Sequence, residues 1–171
     1  VETEGNFSYT FDEKTNTVTL NGYAEGYSGG EVLNIPETLG GYPVVEIKNS
    51  AFEGNTLIRT VVIPDSVETI GTSVFKDCRS LSSVTLSKGL QSMGYATFQN
   101  CTLLTTIEIP KSLKDGRGIE NPDYGIFRGC ESLKNVTFES GTTRIVKELF
   151  MGSPLEEITI PDTVTVIEYM A

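Results

Sequence analysis

The sequence predicts a right-handed solenoid of stacked 23-residue rungs, an α/β-type repeat fold that is mostly β. Three observations carry this. Phenylalanine recurs at Phe52, Phe75 and Phe98, 23 residues apart, and again at Phe127 and Phe150 after one interval of 29. Each of these phenylalanines leads the same spacing of apolar residues, and a fixed period of this length is the mark of a repeat architecture. Each rung then ends in an in–out–in alternation such as Val84-Thr85-Leu86, the period-2 pattern of a strand.

Taken in order, the chain opens on Phe7-Ser8-Tyr9-Thr10-Phe11 and Thr17-Val18-Thr19-Leu20, with a polar five-residue link between them, which reads as a β-hairpin. Residues 1–31 are therefore expected to form an N-terminal β-hairpin cap, and residues 32–171 a solenoid of about six rungs. Val32-Leu33-Asn34-Ile35-Pro36 resembles a first rung strand, and Gly40-Gly41-Tyr42-Pro43 marks a turn-rich insertion at 40–44. The next rungs run Phe52, Asn55, Ile58, Val61, Ile63, Pro64; then Phe75, Cys78, Leu81, Val84, Leu86; then Phe98, Cys101, Leu104, Ile107, Ile109, Pro110. A second insertion, 114–123, is rich in Gly, Asp and Asn and accounts for the long interval. Phe127, Cys130, Leu133, Val136 and Phe138 follow, and then Phe150, Leu155, Ile158, Ile160 and Pro161, one residue short after Gly152-Ser153-Pro154. Strands are expected near 32–35, 60–63, 83–86, 106–109, 135–138 and 157–160, all parallel in one sheet. The chain stops where the next phenylalanine is due, with no second cap in sight, so a piece of a longer protein is the expectation.

The rung has a simple physical logic. Leu-x-x-Val brings the chain round a bend onto the strand, and proline at 64, 110 and 161 ends the ladder because it has no N–H to give. Phe and Cys are expected on a short 3₁₀ turn on the opposite, convex side. One rung cannot bury its own apolar face; rungs stacked about 4.8 Å apart bury a continuous column.

Composition narrows the function. Hydrophobic residues make up 38% and charged residues 21% of the 171, which suits a folded domain rather than a disordered one. A net charge of −10 argues against nucleic acid, and no apolar run approaches membrane-span length, so neither nucleic acid nor membrane insertion is expected. With no histidine, His-based triads and Cys/His dyads are excluded. The three cysteines share one repeat position, which reads as a reduced, buried column rather than a disulfide framework or a zinc site. No phosphate loop or dinucleotide fingerprint occurs, and the paired carboxylates Glu156-Glu157 and Asp12-Glu13 read as solvated surface. No catalytic residue, cofactor or metal is expected.

The strings Ala51-Phe52-Glu53-Gly54, Val74-Phe75-Lys76-Asp77-Cys78, Ile107-Glu108-Ile109-Pro110 and Val67-Glu68-Thr69-Ile70-Gly71 resemble BspA-like, or Treponema-type, leucine-rich repeats. Asn21-Gly22-Tyr23 and Gly40-Gly41-Tyr42-Pro43-Val44 are similar to the usual opening of such domains, so the resemblance covers essentially the whole chain. It departs from the commoner leucine-rich repeat with Asn or Cys after the strand: Gly89 stands there, so no asparagine ladder is expected. The resemblance implies a secreted or surface-anchored bacterial protein, some relatives being adhesins for host matrix or other microbes. It carries over no catalytic or binding residue, because the matching positions are core positions.

The functional expectation is a non-catalytic protein-binding or adhesion module of an extracellular or cell-surface protein. The alternative is a structural spacer or accessory repeat domain of a larger surface enzyme. The candidate contact residues lie in two places. One is the outward row of the strands: Thr60, Val62, Thr85, Thr106, Glu108, Thr137 and Thr159, small and threonine-rich, a composition that solubility of an exposed sheet also explains. The other is the pair of insertions, carrying Tyr42, Tyr124 and Arg117; Lys111, Lys114, Arg117 and Arg128 make the second of them locally basic.

Overall fold

The computed structural model describes residues 1–117 and 122–171, with the side chains of Arg117 and Pro122 outside that description. Its first three strands, β1 (Glu2–Glu4), β2 (Phe7–Asp12) and β3 (Thr17–Tyr23), form an antiparallel meander. The hairpin expected at 7–20 is there, longer by Asn21, Gly22 and Tyr23 and extended by β1. Asp12 Oδ1 accepts from the Lys14 N–H at 2.8 Å and Asn16 takes φ 54°, which together close the β2–β3 turn.

From there each rung before the last contributes two short strands, not one. The first ladder holds β4 (Val32–Asn34), β7 (Thr60–Val62) and β9 (Ser83–Thr85), all parallel, and then β11 (Thr106–Ile109) parallel to β13 (Asn135–Phe138). These are the strands the alternation predicts. A second ladder was not expected: β6 (Tyr42–Ile47), β8 (Thr69–Ile70), β10 (Ser92–Gly94) and β12 (Asp115–Arg117) run parallel, and β14 (Arg144–Ile145) pairs with β15 (Val166–Ile167). The cap strand β3 pairs parallel with β6, so the meander continues this second ladder.

The turn-rich segment 40–44 folds as part of a hairpin: β5 (Thr38–Leu39) and β6 turn around Gly40 and Gly41, whose φ of 61° and 82° only glycine adopts freely. Two expectations need correction. The first ladder is not one sheet, since β9 and β11 are unpaired across a cleft of about 110 Å³ lined by Val84, Thr85, Lys88, Glu108 and Glu139. Residues 157–160 form no strand. Leu155 follows Phe150 by five residues where Leu133 follows Phe127 by six, so the chain reaches the β13 edge out of register. A cleft of about 380 Å³ opens there between Leu133, Lys134 and Pro154, Leu155, Glu156.

The core is a column. The Phe52, Phe75, Phe98, Phe127 and Phe150 rings stack at centroid separations of 5.6, 5.5, 5.7 and 5.9 Å, the first three pairs within 6° of parallel. Tyr23 closes the cap end edge-on against Phe52 at 5.0 Å. The N–H three residues after each of Phe52, Phe75, Phe98 and Phe127 donates back to its carbonyl, the 3₁₀-type closure expected of that corner. Pro122–Tyr124 is a short 3₁₀ helix in its own right.

Each phenylalanine is followed two residues on by a left-handed residue: Gly54, Asp77, Asn100, Gly129 and Gly152. Ser50, Ser73, Ala96 and Glu148 are left-handed two residues before. Glu148 is the poorest fit, being buried with Oε2 unpartnered as well as at φ 59°. Glu148→Ser, the residue type found at 50 and 73, is expected to raise stability by about 1 kcal/mol in urea melts, by removing a buried unsatisfied oxygen. A loss of stability instead would show that the carboxylate is held by an interaction of net value.

Candidate interaction surface

The outward side chains of the first ladder fall into two rows. Val32, Thr60 and Ser83 are Cα partners in one, and Asn34, Val62 and Thr85 in the other; Thr106 lies beside Asn135, and Glu108 beside Thr137. Alternation puts Leu33, Val61, Ile107 and Val136 into the core and leaves these rows outside. Thr85, Thr106, Glu108 and Thr137 are exposed and Thr60 is half-buried. Thr159 is exposed but belongs to the unpaired stretch, so it does not extend the rows. What remains is a surface of hydroxyls with Glu108 its single charge, able to exchange hydrogen bonds and to pack on flat apolar groups.

Tyr42 is in β6, its ring 4.3 Å from that of Phe11 in the cap. Tyr124 stands edge-on to Tyr95 at 5.8 Å. Tyr42 opens β6 at the cap end of the second ladder, whereas Tyr124 precedes the Phe127 turn three rungs on, so the fold does not bring these two tyrosines together. Arg117 ends β12, and its side chain lies outside the described residues, as do residues 118–121 of the second insertion. The basic character expected there is partly neutralised: Lys111 pairs with Glu139 at 3.5 Å, Arg128 with Asp123 at 3.1 Å, and Lys114 reaches Gln91.

The cysteines are core groups with a hydrogen-bonding role. Cys78, Cys101 and Cys130 donate their S–H to the carbonyls of Phe52, Phe75 and Phe98, one rung back, at 3.2, 3.2 and 3.1 Å. Asn55 replaces cysteine in the rung that has no phenylalanine behind it, and its Nδ2 instead ties Ser28 O of the incoming chain at 3.1 Å. Burial pushes the Cys78 and Cys130 thiols up from 9.0 to about 12, and also raises that of Cys101. The native thiols are therefore expected to resist iodoacetamide at pH 8 and to react fully in urea; alkylation of the folded chain at the rate of a free thiol would contradict the burial. Because the folded values lie above the unfolded ones, this stabilisation is complete below pH 9.0 and is lost as pH climbs towards 12.

Sequence reasoning missed a group of exposed apolar residues near β4: Tyr27, Val32 and Leu57. Val32 was legible as an outward strand position; Leu57 and Tyr27 sit in links that carry no periodic signal.

The model of the BspA type leucine rich repeat region matches residues 45–171, in six copies. A leucine-rich repeat protein from Bacteroides capillosus is 33% identical over 81% of this chain and 98% of its own, with a TM-score of 0.68. A leucine rich cell surface protein from Faecalibacterium prausnitzii is 27% identical over 97% of this chain and 50% of its own, with a TM-score of 0.60. The pneumococcal vaccine antigen PcpA shares the fold at 23% identity over 96% of this chain and 45% of its own, with a TM-score of 0.63. No curated protein matches.

Proposed function

Since this chain belongs to the BspA-type leucine-rich repeat family, we propose that it is an adhesion module of a secreted or cell-surface protein. Domains of this family are protein-interaction repeats and typically non-catalytic. The observation that carries the finer reading is the outward surface of the first ladder: rows of small, mostly polar side chains, rich in Thr and broken by Val32 and Val62, on parallel strands and close to uncharged on a chain of net charge −10. Such a face contacts a protein over area, through many small hydrogen bonds, rather than enclosing a small molecule. The relatives described as a cell surface protein and a vaccine antigen support an extracellular setting. The partner that fits is a protein of the host matrix or of another cell surface. Among the described residues no helix is long and apolar enough to cross a membrane.

The test is binding of the purified chain to immobilised fibronectin, laminin and collagen. At least one is expected to bind, with the paired substitution Thr85→Lys and Thr106→Lys reducing affinity about tenfold at unchanged melting temperature. A chain shortened through 114–123 serves as the control for the insertion. Equal binding by the double variant would remove the threonine rows; failure to bind any of the three would sink the adhesion reading in favour of a spacer.

A further inference from the structure

The N-terminal meander covers only half of the solenoid's end. Strand β3 pairs with β6 and so closes the second ladder, and Tyr23 closes the phenylalanine column. Among the described residues nothing pairs with the outer side of β4, the first strand of the first ladder. Along a strand, the N–H and C=O of one residue point to the same edge and those of the next to the opposite edge. Glu31 O accepts from the Arg59 and Thr60 N–H groups, and the Ile35 N–H donates to Val62 O, so residues 31, 33 and 35 face β7. Val32 and Asn34 therefore present their N–H and C=O groups to the free edge, four main-chain groups without a backbone partner among the described residues. Leu33 is buried while Val32 is 58% exposed, as this orientation requires.

The edge is short, three residues, but has few other protections. Val32, Leu33 and Asn34 include no charge and no proline, and the β4–β7 register has no bulge. Val32 is the exposed apolar side chain that this edge itself presents, while Leu57 and Val62 belong to the next rung, on the β7 side. The charge around it is acidic. Glu31 and Glu37, beside the strand in sequence, are exposed, and Arg59 is paired with Glu31 at 3.3 Å.

We propose that the outer edge of β4 is a strand-addition site that takes an extended, lysine- or arginine-bearing segment of a partner protein. The inference rests on the protein-binding reading above and gives it a place and a chemistry. The incoming strand fills the four main-chain groups of Val32 and Asn34, sets an aliphatic or β-branched residue beside Val32, and brings its cations towards Glu31 and Glu37. A second copy of this chain is the weaker occupant, because two chains of charge −10 repel.

The probe is a fluorescent acetylated peptide of three Lys-Val repeats, with the Glu-Val counterpart as control, read by anisotropy and by amide hydrogen exchange on the full chain. The basic peptide is expected to bind about tenfold or more tightly than the acidic one and to slow exchange at Val32 and Asn34 by a similar factor. Asn34→Pro deletes a donor on the free edge without touching the bonds to β7, and is expected to weaken binding about tenfold at unchanged melting temperature. Should Asn34→Pro disturb folding, Val32→Lys decides, since it sets a cation where the partner's aliphatic residue must lie. No binding of the basic peptide, or equal binding by these variants, overturns the site. Concentration-dependent dimerisation that Asn34→Pro abolishes overturns it in favour of a second copy. Matrix binding kept by Asn34→Pro but lost with the Thr85 and Thr106 substitutions would remove this edge and leave the protein-binding reading standing.

Discussion

Phe98→Ala is expected to destabilise the chain by about 3–5 kcal/mol, the range for deleting a core phenylalanine. Phe98 is fully buried in the middle of the column, 5.5 Å from Phe75 and 5.7 Å from Phe127, with both pairs nearly parallel. Truncation opens a cavity that neighbours cannot fill, because each adjacent ring is already held by the next. Its carbonyl also accepts from the Cys101 N–H and the Cys130 thiol, so any relaxation of the backbone strains a turn and a cross-rung bond together. In a solenoid, stability is roughly a sum over rungs and the interfaces between them, and this one change weakens two interfaces. Urea melts of the two proteins check it. A loss below about 1 kcal/mol would mean that the stacked column does not carry the fold.

Gly94→Ala is the second large effect, and it works by excess rather than loss. A Cβ at Gly94 would lie 2.6 Å from both Gly71 C and Thr72 N and 2.7 Å from Gly71 O. All three are backbone, so no side chain can swing aside. The next glycine in the column, Gly71, is equally hemmed in, 2.7 Å from Asn49 N and 2.9 Å from Ile47 O. The added methyl must push two rungs of the second ladder apart where Met93 pairs with Ile70. The expected cost is about 1–3 kcal/mol, with Gly94→Val worse. Faster amide exchange at Ser73, whose N–H bonds Tyr95 O at 3.0 Å, is the local signature. Unchanged exchange there and unchanged stability would show that the rungs have room to spare.

The two substitutions separate what a repeat sequence states openly from what it leaves implicit. Phe98 was legible because its period, its spacing to Cys101 and Leu104, and its size all point to one buried column. Gly94 was not: Gly71 stands one 23-residue period before it, but a recurring glycine carries no hydropathy signal and does not say which backbone it must clear. The left-handed position two residues after each phenylalanine lies between these cases. Gly54, Asp77, Asn100, Gly129 and Gly152 are all types that tolerate positive φ, so the signal was present, but it is carried by conformation rather than by hydropathy.

The sequence by itself determined the rung, the parallel first-ladder strands from Val32 to Phe138, the buried thiols and the outward threonine rows, because each follows from the alternation or period of apolar residues along one chain. Only the tertiary structure decided the second ladder, whose strands after β6 have two or three residues, too few to show an alternation. It alone decided that 157–160 stays unpaired, since a single missing residue shifts register without altering the apolar pattern. It also decided that the cap closes β6 and leaves the β4 edge open, because main-chain hydrogen bonds are made by groups every residue carries, and no residue type announces which of them go unfilled.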